Sequence, residues 1–333
     1  MRNHHNRPVT RRIVTLATTT TLLVAGGLAA AGGGANAAVR PGAATAHSAT
    51  AAAAAAGNPD PTSGPHRQAL DPVTRKKVTV YKPAGATPVH PEKVSHPGQD
   101  GMGTVTSAHD GGRTAGTRAP AVTAAPAGLP GIDVSSYQGN VTWSSVAPNI
   151  DFAYAKATEG TYYTNPDFTN QYNGPYNAGL IRGAYHFGIP DNSTGASRAD
   201  YFVAHGGGWS GDGKTLPGAL DIEYNPYGAE CYGLSKATMT AWIWDFVNEY
   251  AYDAGVYPVI YTTNDWWSTC TSGDTGFAGY DPLWVACYCT AAGTLPAGYG
   301  YYTFWQYADS GSEPGDQDVF NGTYSRLQAL AAG

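Results

Sequence analysis

Leu220-Asp221-Ile222-Glu223-Tyr224 is the stretch on which the reading of this chain turns. Side chains alternate along an extended strand, so Asp221 and Glu223 share one face while Leu220, Ile222 and Tyr224 share the other. Two residues of strand rise separate the acidic Cα atoms by roughly 6.6 Å. Paired carboxylates on an otherwise apolar strand are costly unless they serve a purpose. Their mutual repulsion disfavours ionising both and keeps one protonated near neutral pH. That is what a general acid needs in order to protonate a glycosidic oxygen. Two solvated acids at an exposed strand end would look the same in isolation, so the surroundings decide.

Around this strand, from Leu129 onward, strand and helix patterns alternate. Residues 132–135, 152–155, 181–187, 218–223, 257–262, 283–286 and 303–307 read as strands. Residues 167–178 read as a helix closed by Gly179, and 196–205 as one stopped by three glycines. Ser235 caps a long helix that reaches Asp253, with Gly255 as its stop. Alternation of this kind predicts an α/β fold with a largely parallel sheet. Seven strands in about 205 residues predict a compact, irregular (β/α) barrel, with its chemistry at the C-terminal strand ends.

Two further acidic sites fall in such places. Asp133, in Gly131-Ile132-Asp133-Val134-Ser135, ends the first strand; a helix-capping or turn aspartate is the plain alternative. Asp316 and Asp318, in Gly315-Asp316-Gln317-Asp318-Val319-Phe320, follow the last strand, where an acidic loop or a calcium loop competes. Closure of the barrel would bring these ends together with Asp221 and Glu223. Aromatic residues stack on pyranose faces, which makes Tyr154, Tyr185, Trp305, Tyr307 and Trp266-Trp267 candidates for holding a sugar, although most aromatics in any domain are core. His186 reads as a hydrogen-bonded wall residue of the site rather than a base.

Other chemistries are poorly supplied. The chain has no G-x-S-x-G elbow, no P-loop and no H-E-x-x-H. Only His186 and His205 lie after residue 129, and the C-x-C of Cys287 and Cys289 is not a zinc spacing, so no metal and no cofactor is expected.

The residues before Leu129 have a different character. They hold 13 Lys/Arg against 5 Asp/Glu, whereas the remainder holds 6 against 20. All eight Trp and all eight Phe lie after residue 140. A domain with so few cations is a poor nucleic-acid binder. Residues 1–37 read as a signal peptide: Arg2, Arg7, Arg11 and Arg12 precede a small-residue apolar run, and Ala35-Asn36-Ala37 fits the cleavage pattern. Arg11-Arg12 raises the twin-arginine route. The apolar run is too broken for a membrane span. Residues 38–128, rich in Ala, Gly, Pro, Ser and Thr, read as a disordered low-complexity linker or pro-segment, with room for a short ordered piece near Val78-Thr79-Val80-Tyr81. Residues 129–333 then form a single catalytic domain. The expectation is a secreted monomer, and four cysteines suit an oxidising compartment.

With these residues in view, 130–330 resembles glycoside hydrolase family 25, the Chalaropsis-type lysozymes, in particular the secreted streptomycete muramidases. The resemblance rests on an ordered set: Gly131-Ile132-Asp133-Val134-Ser135, Lys156-Ala157-Thr158-Glu159-Gly160, Arg182-Gly183-Ala184-Tyr185-His186-Phe187, Asp221-Ile222-Glu223, Phe304-Trp305-Gln306-Tyr307 and Phe320-Asn321-Gly322. It implies metal-free hydrolysis of the β-1,4 bond between N-acetylmuramic acid and N-acetylglucosamine in the glycan strands of peptidoglycan. By the motifs, Glu223 looks like the general acid and Asp221 its partner on the substrate acetamido group or the water. Asp133 looks like the third acid. Asp316 looks like the fourth, with Asp318 the alternative because this loop is shorter than in some relatives. Tyr154, Tyr185, His186, Trp305, Gln306 and Asp318 are the implied substrate contacts. The family disulfide looks like Cys231–Cys270, while Cys287 and Cys289 depart from the pattern. Two rivals stand beside this reading: a non-catalytic cell-wall or chitin-binding module, and a chitinase-like glycosidase.

Overall fold

The computed structural model describes residues 64–83, 102, 125–191 and 193–333. The first ordered element is a hairpin of β1 (His66–Asp71) and β2 (Lys76–Tyr81). Its turn is organised by Asp71, whose Oδ1 accepts the backbone N–H groups of Val73 and Thr74 at 2.8 and 2.9 Å. The short ordered piece allowed for near residues 78–81 is the second strand of this hairpin, and order extends over 64–83 within the segment read as linker. Six-residue strands that are mostly polar and open to solvent carry little apolar signal. Their two inward residues, Ala69 and Val80, are small but buried.

The barrel is built from β3 (Leu129–Val134), β4 (Phe152–Glu159), β6 (Ile181–Phe187), β7 (Ala219–Asp221), β8 (Val259–Thr262), β9 (Leu283–Ala286), β10 (Phe304–Ala308) and β11 (Asp316–Phe320). A two-residue β5 (Tyr163–Thr164) pairs with the end of β4. The first seven barrel strands run parallel; β11 lies antiparallel between β10 and β3, and the β3–β4 pairing closes the ring. This is the irregular α/β barrel expected from the alternation. β4 is buried along its whole length, as a wall strand covered on both faces must be.

Helices α1 (Trp143–Val146), α2 (Phe168–Asn177), α3 (Gly195–Phe202), α4 (Lys236–Ala254), α5 (Asn264–Cys270) and α6 (Tyr324–Ala332) complete the fold. α4 starts and stops where the sequence says: the Ser235 side chain accepts from Thr238 N, and Gly255 takes the left-handed conformation at φ 79°. Its inner residues Met239, Ile243, Phe246, Val247 and Tyr250 pack in one cluster with Leu220, Ile222 and Tyr224. A second cluster fills the barrel with Phe152, Tyr154, Tyr185, Tyr261, Trp284 and Phe304. Gly183 makes room inside: a Cβ there would stand 2.2 Å from Tyr154 Cε1.

β11 and α6 are not legible in the sequence. The Asp-Gln-Asp of β11 reads as an acidic loop because its polar residues face into the barrel rather than into water. β7 ends at Asp221, two residues sooner than expected, so Glu223 lies just past the strand. Cys231–Cys270 forms as the resemblance implies, joining the segment before α4 to the end of α5. By loop-closure entropy it contributes roughly 2–4 kcal/mol. Cys287 and Cys289 form a second disulfide around Tyr288. Among the described residues no helix is long and apolar enough to cross a membrane.

Candidate active site

Seven parallel strands send their C-terminal ends to one mouth of the barrel, and β11, running the other way, brings its first residue there. Asp316 consequently stands directly opposite Asp133 in the β11–β3 register. Gly315, at φ +81°, admits this approach; a Cβ at that position would come within 2.0 Å of the Asp133 carbonyl oxygen. Asp221 ends β7 and Glu223 follows it.

Gln306 of β10 ties the acids together. Its Nε2 donates to Asp133 Oδ2 at 2.7 Å and to Asp316 Oδ2 at 3.1 Å. Its Oε1 accepts the hydroxyls of Tyr261 at 2.7 Å and Tyr288 at 3.0 Å. Two phenols on the amide oxygen leave the amide nitrogen one way to point, toward the carboxylates. Tyr288 sits inside the small ring closed by Cys287–Cys289, and that ring is pinned to β10: Cys287 N donates to Gln306 O at 3.1 Å, and Trp305 Nε1 to Cys287 O at 2.8 Å.

The electrostatics follow from burial. Asp133 is pushed up to about 7, because burial opposes its charge and the Gln306 hydrogen bond only partly compensates. Burial, then the Glu223 charge, lifts Asp221 well above the carboxylate range, against the pull of Lys156. Asp316 is raised by burial and by Asp133. Asp318, one pleat deeper opposite Gly131, is raised by burial and by Asp133 and Asp316, although Trp284 Nε1 donates to it at 2.9 Å. Among the described residues neither oxygen of Asp221 has a hydrogen-bond partner. Two buried carboxylate oxygens without a partner in the fold are expensive to keep, and at the barrel mouth this makes Asp221 a candidate for contact with something outside the fold. Opposite charge is close by: Lys156 Nζ pairs with Glu159 Oε2 at 2.6 Å, both side chains fully buried, and Tyr162 and Tyr227 donate to Glu159 Oε1 at 3.0 and 2.6 Å.

Of the residues expected from sequence, the structure brings Asp133, Asp221, Glu223, Asp316, Gln306 and Tyr185 to this mouth. The charges of Asp133, Asp221 and Asp316 all bear on the Tyr185 hydroxyl. Five expected sugar contacts lie elsewhere. Tyr154 fills the barrel and donates its hydroxyl to Pro217 O at 3.0 Å. His186 is hydrogen-bonded as expected, with Thr158 Oγ1 at 2.8 Å from its Nδ1, but it packs on Phe202 and Phe246 of the surrounding helices. Burial there pulls it well below the usual histidine range, so it stays neutral. Trp305 turns to the outer face beside Leu283, Val285 and Val319. Trp266 and Trp267 are core. For His186 and Trp305 strand position was legible but which of two neighbouring residues points inward was not; Tyr154 points inward but spends its hydroxyl on Pro217 O, and Trp266 and Trp267 lie in α5. Tyr261, Tyr288, Lys156 and Glu159 went unrecognised. Lys156 and Glu159 lie in the Lys156-Ala157-Thr158-Glu159-Gly160 motif, and Tyr261 is in pleat phase with inward Val259.

One group outside the mouth has the make-up of a cation site: Asp200 of α3 with Glu249 and Asp253 of α4. The ammonium of Lys82 already lies on Glu249 Oε1 and 3.8 Å from Asp200 Oδ1. The mouth itself therefore holds acids, amides and phenols, the working parts of a glycoside hydrolase.

Comparison with known proteins agrees. The profile of glycosyl hydrolases family 25 matches residues 132–316. The chain belongs to that family and is a glycoside hydrolase. It is 47% identical over 265 residues to lysozyme M1 of Streptomyces globisporus, covering 76% of this chain and 89% of the relative. It is likewise 47% identical over 208 residues to the N,O-diacetylmuramidase of Chalaropsis sp, covering 61% and 99%. Among solved structures, the bacterial lysozyme of Streptomyces coelicolor superposes with a TM-score of 0.61 at 50% identity, covering 62% of this chain and 99% of that one.

Proposed function

We propose that the protein is a secreted lysozyme that hydrolyses the β-1,4 bond between N-acetylmuramic acid and N-acetylglucosamine in peptidoglycan. The observation that carries this is the convergence of Asp133, Asp221, Glu223 and Asp316 on one barrel mouth. The names of the matched relatives, lysozyme and N,O-diacetylmuramidase, support the substrate. Residues 1–37 serve as the signal peptide, with Arg11-Arg12 suited to the twin-arginine route, and residues 129–333 act as a monomeric catalytic domain. Two disulfides fit an extracellular setting.

Glu223 protonates the departing glycosidic oxygen. Asp221, in the same pleat phase and lacking a partner within the described fold, engages the substrate acetamido group or the attacking water and supports positive charge in the transition state. Gln306 holds Asp133 and Asp316 in place and spreads hydrogen bonding across the floor of the site. Asp316, at the rim, acts as the fourth acid, and Asp318 is a buried support beneath it.

Mass spectrometry of fragments released from purified peptidoglycan tests the reading. Reducing-end N-acetylmuramic acid is expected. Fragments ending in N-acetylglucosamine, or release from chitin oligomers alone, would favour a chitinase-like enzyme, and no release would favour a binding module. An activated aryl glycoside separates the two acids. Glu223→Gln retains much of its rate there because the leaving group needs little protonation, whereas Asp221→Asn stays impaired. The opposite pattern reverses the roles.

A further inference from the structure

The two disulfides of this chain differ in what they can contribute. Cys231–Cys270 bridges residues 39 apart, and Cys270 is 0% exposed in the cluster that packs α4 on the barrel wall. Constraint on the unfolded chain grows with the loop that is closed, so this bridge has stability to give. Cys287–Cys289 joins cysteines two residues apart and constrains the unfolded chain very little. Both of its cysteines are half-buried. Gly293 lies beside the Cys287 sulfur with no side chain to cover it; a Cβ there would stand 3.9 Å from that Sγ. Bridges that solvent can reach are the labile ones, open to exchange with thiols.

The small ring also holds part of the site. Cys287 is pinned to β10: its N–H donates to the Gln306 carbonyl at 3.1 Å, and its own carbonyl accepts the Trp305 indole N–H at 2.8 Å. The disulfide ties Cys289 back to that pinned residue. Tyr288 stands between them, 9% exposed, and its hydroxyl donates to Gln306 Oε1 at 3.0 Å. Gln306 Nε2 carries the line on to Asp133 Oδ2 and Asp316 Oδ2 at 2.7 and 3.1 Å. Two side chains, Tyr288 and Gln306, thus connect the S–S bond to two acids of the mouth.

We propose that Cys287–Cys289 is a thiol-exchange site, through which a small dithiol reversibly lowers turnover by loosening Tyr288 from Gln306. A thiolate of the dithiol attacks one sulfur of the pair. The Cys287–Cys289 bond breaks, a mixed disulfide forms, and the displaced cysteine leaves as a thiolate that takes a proton from water. The second thiol of the dithiol, deprotonated in turn, attacks the mixed disulfide, closes the dithiol into a cyclic disulfide and releases the other cysteine, which is protonated likewise. Two electrons pass to the protein, whose cysteines are reduced, and the dithiol is oxidised. An uncharged dithiol suits the site, because the domain after Leu129 holds 20 acidic residues against 6 basic and repels anionic thiols. In an oxidising setting the bridge is closed and the enzyme is in its faster form. Opening it frees Cys289 and leaves Gln306 Oε1 with Tyr261 as its firm partner, at 2.7 Å, so the loss is partial. The exchange site stands on the bridge itself; its effect on turnover rests on the proposed function of the same mouth.

The test uses the full chain in graded dithiothreitol. Free thiols are tagged and mapped by mass spectrometry, and kcat and KM on soluble peptidoglycan fragments are measured at the same poise. Cys287 and Cys289 are expected to open first, with Cys231–Cys270 intact. kcat then falls about fivefold at nearly unchanged KM, and returns on reoxidation with hydroxyethyl disulfide. Tyr288→Phe starts at the lower kcat and loses nothing further on reduction. Cys287→Ser combined with Cys289→Ser makes the rate insensitive to the reductant. Opening of Cys231–Cys270 first, opening of Cys287–Cys289 with no change in kcat, or an equal further loss in Tyr288→Phe each overturns the inference. Selective opening with no hydrolysis in either redox state upholds the exchange site and sinks the proposed activity instead, so the two failures are distinguishable.

Discussion

Trp305 and Gln306 are neighbours in one strand and do opposite work. Trp305 looks outward, packs among Leu283, Val285 and Val319, and satisfies its indole N–H on the Cys287 carbonyl. Gln306 looks inward and satisfies two carboxylates and two phenols at once. His186 and Tyr185 repeat the division one wall away, the first neutral under the helices, the second under the field of three acids. The pleat therefore sorts the barrel wall into a face that holds the protein together and a face that keeps expensive charge at the mouth. A slip of one residue in register would exchange the two sets, and the burial of both faces is what forbids it.

The largest expected effect is on the inner face. Glu223→Gln preserves shape and removes the transferable proton, so hydrolysis of peptidoglycan should fall ~10²–10⁴-fold. Thermal unfolding should show the folded state intact. If Glu223→Gln instead unfolds the chain at unchanged specific activity, the inner face is structural and the division drawn above is false.

The outer face should answer in the other currency. Trp305→Ala empties a buried indole and leaves the Cys287 carbonyl unpaired, costing about 3–5 kcal/mol of stability. Denaturant titration reads this directly. At a temperature where the variant is folded, its kcat should stay within a few-fold of the parent. A loss of activity as deep as that of Glu223→Gln in a folded variant would show that Trp305 touches substrate after all.

How much of this division could be read without coordinates depends on which residue is asked. β6 and β9 fall at the residues the pattern picks, 181–187 and 283–286, because their apolar runs are bounded by glycine and turn residues. The ends of α4 were legible through Ser235 and Gly255, which have local jobs. Asp133, Asp221 and Glu223 were legible because an acid at the C-terminal end of an apolar strand has few cheap explanations. Phase was not legible. In walls buried on both sides there is no polar face to mark the outside, so His186 and Trp305 looked as eligible as Gln306 and Tyr185. β11 was missed for the converse reason, since its inward residues are the polar ones. Of the hairpin only the stretch near residues 78–81 was legible, because its attachment depends on partners more than 150 residues away, such as Glu249 and Ala329.

Charge kept at the mouth should be visible as a pH dependence of stability. In the intact chain Asp133 rises from 3.8 to about 7. Below the lower value both folded and unfolded chains carry the proton, and nothing is lost. Between the two, the unfolded chain releases the proton while the folded chain retains it, so stability falls as pH rises, and the loss is complete above about 7. Asp133→Asn should therefore flatten the curve: Tm near that of the parent at pH 3.5 and above it by a few degrees at pH 8. Asp316 and Asp318, raised by the same burial, should leave a residual slope. A parent Tm that climbs from pH 4 to 7 would mean these acids are charged and paired in the folded state.

The smallest effect concerns the ring around Tyr288, and it sharpens the comparison because the ring joins the two faces. Cys287 receives the indole N–H of Trp305 from outside, and Tyr288, held between the two cysteines, donates to Gln306 inside. Tyr261 donates to the same oxygen, so loss of Tyr288 alone leaves Gln306 with one of its two phenolic partners. One net hydrogen bond in a buried network is worth about 1 kcal/mol, or roughly fivefold in rate if all of it falls on the transition state. Tyr288→Phe should lower kcat by no more than about tenfold and leave KM nearly unchanged, since the ring still packs. If the disulfide works by presenting that hydroxyl, replacing Cys287 and Cys289 together by Ser should lower kcat to the same extent. Adding Tyr288→Phe to that pair should then lower it no further. Additive losses would separate the disulfide from the hydroxyl and assign the cysteines to local stability alone. A joint loss equal to either single one places the ring, and through it the outer face, in the positioning of Asp133 and Asp316.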